Sequence, residues 1–238
     1  MIAAITTIKT GRRFMQHLIF EIFSTILGTI SALLPIANPL TTVAILPAIA
    51  AHLSPIERAR QVRRACYYMA AILVVFLLVG VVLMDFFSIS IPGLRIAGGL
   101  IVCKFGFNML FPPPELPHAQ KINAKHDISF SPLAMPTLSG PGSIAVVISM
   151  STGVHSQTAL PIWLGYSSVV IGILLVAYIA WLVLRASERL TSMLGNEGIE
   201  AVSRIMGFLL ICIGVQFVIN GIANLLHDPQ FWPELLTL

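Results

Sequence analysis

The side chains best suited to chemistry fall in two short stretches. Residues 34–42 carry Asn38, Thr41 and Thr42 around Pro35 and Pro39, and residues 135–143 carry Ser139, Gly140, Gly142 and Ser143 around Pro136 and Pro141. Both stretches interrupt apolar runs. A proline removes a backbone N–H and breaks the helical hydrogen-bond ladder, so each stretch frees amides and carbonyls beside small polar side chains. Such groups coordinate rather than react. N–H groups at the start of one half-helix suit a carboxylate, and carbonyls at the end of another suit Na⁺. Together they suit a zwitterionic solute with a coupling ion, Na⁺ or H⁺. The structural alternative is that small residues allow close helix packing and hydroxyls satisfy kinked backbone. Both readings stand at this point.

Other polar groups inside apolar segments are few. Gln216 and Asn220 are spaced i, i+4 and share one helix face. They could line a polar path or hydrogen-bond between helices. Arg95 and Arg204 sit near the starts of their segments. There they reach headgroups or a nearby acid by snorkelling, or meet a substrate carboxylate. Lys104 lies deeper, and a cation within a membrane segment is a functional candidate by default; snorkelling towards the segment end is the alternative. No Asp or Glu occupies the middle of a segment; Glu21 stands only at the front of the first. That weakens a carboxylate proton relay and favours Na⁺ or facilitated movement. Walker A, HExxH and nucleophile-elbow patterns are absent, so an enzyme is not expected. Dispersed histidines and three unclustered cysteines predict no metal site and no cofactor.

These residues need elements to position them. The chain is 57% hydrophobic and 10% charged, with a mean hydropathy of +0.91. A soluble domain carries about 25% charged residues, so the solvent here is lipid. The net charge of +4 sits in loops and reports topology, not nucleic acid. The expected partners are therefore the bilayer and a small solute; oligomeric state is not legible.

Residues 1–17 form a basic N-terminal extension with Lys9, Arg12 and Arg13, and Met15 offers an alternative start. The uncharged run 22–51 is too long for a signal peptide. As one straight helix it would measure about 45 Å, against a hydrocarbon core of roughly 30 Å, so it must tilt, break or re-enter. Pro35 and Pro39 supply the break. Ser54, Pro55 and Glu57 read as an N-cap, an N1 proline and a first-turn acid. Segments 67–84 and 93–111 follow, then a polar stretch at 115–127, then segments 130–150, 159–184 and 205–226, with a loop expected across 185–200. A tail, 227–238, remains. The bundle thus spans 18–226 as one unit, with halves at 18–114 and 128–226.

The halves resemble each other. Arg95, Ile96, Gly98, Leu100 and Cys103 recur at equal offsets as Arg204, Ile205, Gly207, Leu209 and Cys212. The Asn38-Pro39 and Gly140-Pro141 stretches align once one residue is inserted. Three spans per copy is an odd number, so the second copy enters from the opposite side. The expected fold is an all-α membrane protein of about six transmembrane helices in a 3+3 inverted repeat, with broken helices in segments 1 and 4. Arg58, Arg60, Arg63, Arg64, Lys121, Lys125, Arg185 and Arg189 all fall on one side of that arrangement. This puts the basic loops in the cytoplasm and both termini in the periplasm.

Residues 34–42, 89–100, 132–142 and 203–221 together resemble the MarC family of integral membrane proteins, and the likeness covers about residues 18–226. The resemblance implies a multi-pass bacterial inner-membrane protein of about six helices. Some relatives are classed as transporters of small neutral amino acids. The chain departs from the family pattern in its N-terminal stretch and at Lys104, where the family is generally apolar. The expected function is secondary transport or exchange of a small neutral solute, such as a neutral amino acid. The alternative is a non-transporting membrane scaffold or assembly protein.

Overall fold

A computed structural model describes residues 2–50, 53–112, 127–156 and 161–226. Among them the only regular elements are helices: α1 (Ile2–Ala37), α2 (Pro39–Ile49), α3 (Pro55–Phe86), α4 (Ile91–Leu110), a wide π-type segment (Ser129–Leu138), α5 (Pro141–Ser156), α6 (Ile162–Arg185) and α7 (Ser187–Leu226). Five stretches are long and apolar enough to cross a membrane: Gln16–Ala37, Pro55–Phe86, Ile91–Leu110, Ile162–Arg185 and Glu197–Leu226. The remaining apolar segment is divided between the π-type turn and the shorter α5. The described residues are therefore all-helical in their regular structure, with five to six segments able to span a bilayer. Lys121, Lys125 and the tail, 227–238, lie outside the described residues.

Local sequence explains the helix ends. Ser54 caps α3 in a full capping box, accepting from the Glu57 N–H while the Glu57 carboxylate accepts from the Ser54 N–H, with Pro55 in the first turn. Two details differ from expectation, at Pro35 and across 185–200. α1 passes through Pro35 and stops only at Ala37, so the interruption falls at Asn38. The cause is Pro39, which disfavours the α conformation in the residue before it. Asn38 instead adopts φ 38°, a left-handed conformation that asparagine tolerates better than most residues. Residues 2–17 continue α1 upstream as helix. The loop expected across 185–200 is mostly helical: α7 starts at Ser187 and bends at Gly195, where φ is 65° and ψ is 178°.

Packing links the two halves throughout. Among the described residues, every substantial partner of α1 to α4 lies in the second half: α4 packs on α7 and α5, α1 chiefly on α6, and α3 on the π-type segment, α5 and α6. The α4–α7 contact is the largest and runs antiparallel. Gly99 meets Gly214, Gly106 meets Gly207, and Gly221 meets Pro92 and Ile96. Glycines seven residues apart fall on one helix face, and without Cβ atoms the two backbones touch. Elsewhere Leu33, Leu73, Leu133, Ile173 and Leu184 fill a core from which the outer faces of the helices are excluded. Those outer faces carry Phe23, Leu78, Phe107, Leu174 and Phe208, as a lipid-facing surface should.

One polar clasp closes the entrance to the π-type segment. Asp127 accepts from the Ser129 backbone N–H at 2.9 Å and from the Ser129 hydroxyl, and Arg64 approaches it at 3.4 Å. The Ser129 hydrogen bonds, with Arg64 assisting, hold the Asp127 carboxyl below its ordinary range. A lowered folded-state value means the clasp stabilises above the ordinary carboxylate range and is lost as pH falls through the lowered value. Asp127→Asn should therefore accelerate hydrogen exchange of the Ser129 amide at neutral pH. Unchanged exchange would show that the clasp does not hold this entrance.

Candidate functional site

The two interruptions meet. A cavity of about 140 Å³ is lined by Asn38 and Thr42 from the first, by Gly140, Gly142 and Ser143 from the second, and by apolar side chains of α1, α4 and α7. Each interruption ends in a helix start: α2 begins at Pro39 and α5 at Pro141. First-turn N–H groups have no partner within their helix, so two positive helix ends border one small space.

Its polar side chains have different assignments. The Asn38 side-chain amide donates to the Met109 sulfur at 3.0 Å. Thr42 is buried, and its hydroxyl lies 3.5 Å from the Asn38 carbonyl oxygen. Ser143 is 1% exposed, and its hydroxyl is the one buried polar side-chain atom without a hydrogen-bond partner among the described residues. A buried polar group without a partner costs about 1–3 kcal/mol, so its presence calls for an explanation. Among the described residues no charged side chain lines the cavity. The arrangement can accept and donate hydrogen bonds to a small polar molecule.

Other residues singled out by the sequence lie elsewhere. Ser139 is fully buried, but its hydroxyl donates to the Ala134 carbonyl at 2.7 Å and so satisfies the kinked backbone. Gln216 and Asn220 do share a face, and the Gln216 amide donates to the Asn220 oxygen at 2.9 Å. That face is exposed, because the inner face of α7 is taken up by Gly207, Gly214 and Gly221. Arg95 Nε donates to the Ser149 hydroxyl at 2.9 Å and ties α4 to α5, whereas Arg204 pairs with Glu200 one turn away on its own helix. Lys104 is exposed on α4, six residues before its C-terminal end, within snorkelling reach of the interface. The side chains of Thr41 and Pro136 lie outside the described residues.

The apolar wall was not singled out in advance. Val102, Phe105 and Met109 of α4, with Ile36 and Leu210, close the cavity. The available signal was the i, i+3, i+7 spacing of Val102, Phe105 and Met109, which places them on one face of α4.

This pairing of interruptions across two halves can be compared with known proteins. The family model described as MarC family integral membrane protein matches residues 23–226. The chain belongs to the MarC family. It is 44% identical over 215 residues to the inner membrane protein MarC of Escherichia coli O1:K1 / APEC, covering 87% of this chain and 97% of that protein. The inner membrane protein MarC of Escherichia coli strain K12 and that of Shigella flexneri are each 43% identical with the same coverage. No solved structure matches. The chain is thus a multi-pass inner-membrane protein of the MarC family.

Proposed function

We propose that this MarC-family chain is a secondary transporter or exchanger of a small neutral solute, such as a neutral amino acid. The observation that carries the reading is the unpartnered Ser143 hydroxyl in a cavity bordered by both interruptions. Its size agrees, since a cavity of roughly 150 Å³ accommodates a molecule as small as benzene. Two helix N-termini favour a carboxylate or another electron-rich group, and the lack of charged lining among the described residues favours a solute without net charge. No covalent chemistry on the solute is part of this reading.

The architecture supports alternating access through a 3+3 inverted repeat with broken helices. The element order repeats: an interrupted segment, a long helix, then a glycine-bearing helix. The α4–α7 pair is antiparallel, as two inverted copies related by a two-fold axis would be. In this reading the basic end of α3 and α6 is cytoplasmic and both termini are periplasmic. The coupling ion is Na⁺ or H⁺.

The test is uptake of radiolabelled glycine, alanine and serine into vesicles holding the purified protein, with and without a Na⁺ or proton gradient. Saturable uptake is expected, falling at least tenfold in Asn38→Gly. Glycine suits this position, because it removes the amide yet accepts φ 38°, whereas a leucine would strain the backbone. No uptake from folded, correctly oriented protein would overturn the amino-acid reading and leave another solute or the scaffold.

A further inference from the structure

At the arginine-rich end, a cleft of about 520 Å³ is lined by Arg58, Arg60 and Arg63 of α3, Trp181 and Arg185 of α6, and Glu188 of α7. A second hollow of about 410 Å³ runs between α3 and α6, lined by Cys66, Tyr67, Ala70, Leu174, Ala177 and Tyr178. Arg63 and Trp181 line both, so the two adjoin. We propose that together they bind an anionic phospholipid, with its phosphate among the arginines and an acyl chain in the hollow.

Charge decides the first half of this. Among the described residues Glu188 is the only carboxylate lining the cleft, and it is paired with Arg58. Among the described residues no carboxylate lies within ion-pair distance of Arg60, Arg63 or Arg185. Arg185 instead lies 5.2 Å from the Trp181 ring centre, which fixes its direction without neutralising it. Guanidinium groups bind phosphate oxygens in a fork, and basic pockets between transmembrane helices take anionic headgroups.

Depth decides the second. α3 has 32 residues, about 48 Å of helix against a hydrocarbon core of roughly 30 Å, so an end of it projects into the headgroup layer. Tyr67, Tyr178 and Trp181 lie one to several turns from the arginines, where an aromatic belt marks the boundary with hydrocarbon. Topology alone would account for arginines at this end. It would not account for a largely apolar hollow that adjoins them and shares Arg63 with their cleft.

The experiment is native mass spectrometry of the purified full-length protein supplied with phosphatidylglycerol or phosphatidylethanolamine. Wild type should retain one phosphatidylglycerol per chain at least tenfold more than the zwitterionic lipid. Arg63→Gln combined with Arg185→Gln should lose that preference, while Arg189→Gln, exposed at the same end but outside the cleft, should keep it. Millimolar glycerol phosphate should not displace the lipid, because it lacks the chain. Equal retention of both lipids by wild type would overturn the proposal without reference to any variant. So would a double variant that retains lipid as Arg189→Gln does, or displacement by glycerol phosphate, which would mean a simple anion site. None of these readouts depends on solute uptake.

Discussion

Gly106→Leu is expected to separate α4 from α7 and to leave little folded protein. A Cβ at Gly106 would stand 2.6 Å from the Gly207 carbonyl oxygen, and one at Gly207 would stand 2.8 Å from the Gly106 carbonyl oxygen. Gly99 and Gly214 make the same reciprocal contact at 2.5 and 2.6 Å. The obstruction is backbone, which cannot rotate away as a side chain can. Even one added methyl in a packed seam costs about 1–3 kcal/mol, and leucine adds three further carbons. Separating the two backbones would also forfeit the Cα–H···O contacts that so close an approach permits, worth roughly 0.5–1 kcal/mol each. Gly28→Ala is the control: its Cβ would meet nothing within 4 Å, and alanine favours helix by about 1 kcal/mol over glycine. The monodisperse yield in mild detergent and the melting midpoint report both. Equal melting of the two variants would show that the glycine seam does not hold the helices.

Ser143→Ala is expected to move stability and transport in opposite directions. Removing a buried hydroxyl that has no partner should raise the melting midpoint, by an amount corresponding to about 1 kcal/mol. The same change should reduce solute uptake tenfold or more, because the lost group is the one left free for a ligand. A packing role predicts the reverse pattern, with stability lost and uptake unaffected. A fall in stability would mean that the hydroxyl is already satisfied, and the proposed site would lose its principal support. Such opposition is common where a site keeps groups that the fold itself does not use.

Much of the fold can be read in one dimension. Prolines beside asparagine and glycine mark both interruptions, and Ser54 with Glu57 marks the start of α3. What cannot be read is which face of an apolar helix turns inward. In water the polar face identifies the outside, but in a bilayer both faces are apolar and this signal is weak. Gln216 and Asn220 stand out by polarity yet face outward, while Val102, Phe105 and Met109 line the cavity with only a shared helix face, and no difference in polarity, to set them apart from their neighbours. Charge misleads at 185–200 for a related reason. Arg185, Glu188, Arg189 and Glu197 look like loop residues, but they belong to helices that continue past the hydrocarbon edge. Ser139 shows a third limit. Its type fits a ligand as well as a kink, and only the 2.7 Å bond to Ala134 assigns it to the kink.

The interlocking of the halves also has a history in time. Ribosomes add roughly 5–20 residues per second, and about a hundred residues separate the end of α4 from the glycines of α7 that it packs against. For some 5–20 s after α4 is made, its glycine face has no partner. α1 likewise waits for α6. Neither half can be finished and set aside while the other is synthesised, and a chain cut short before α7 leaves its longest seam open. α7, made after every other described helix, is the one that completes the first half.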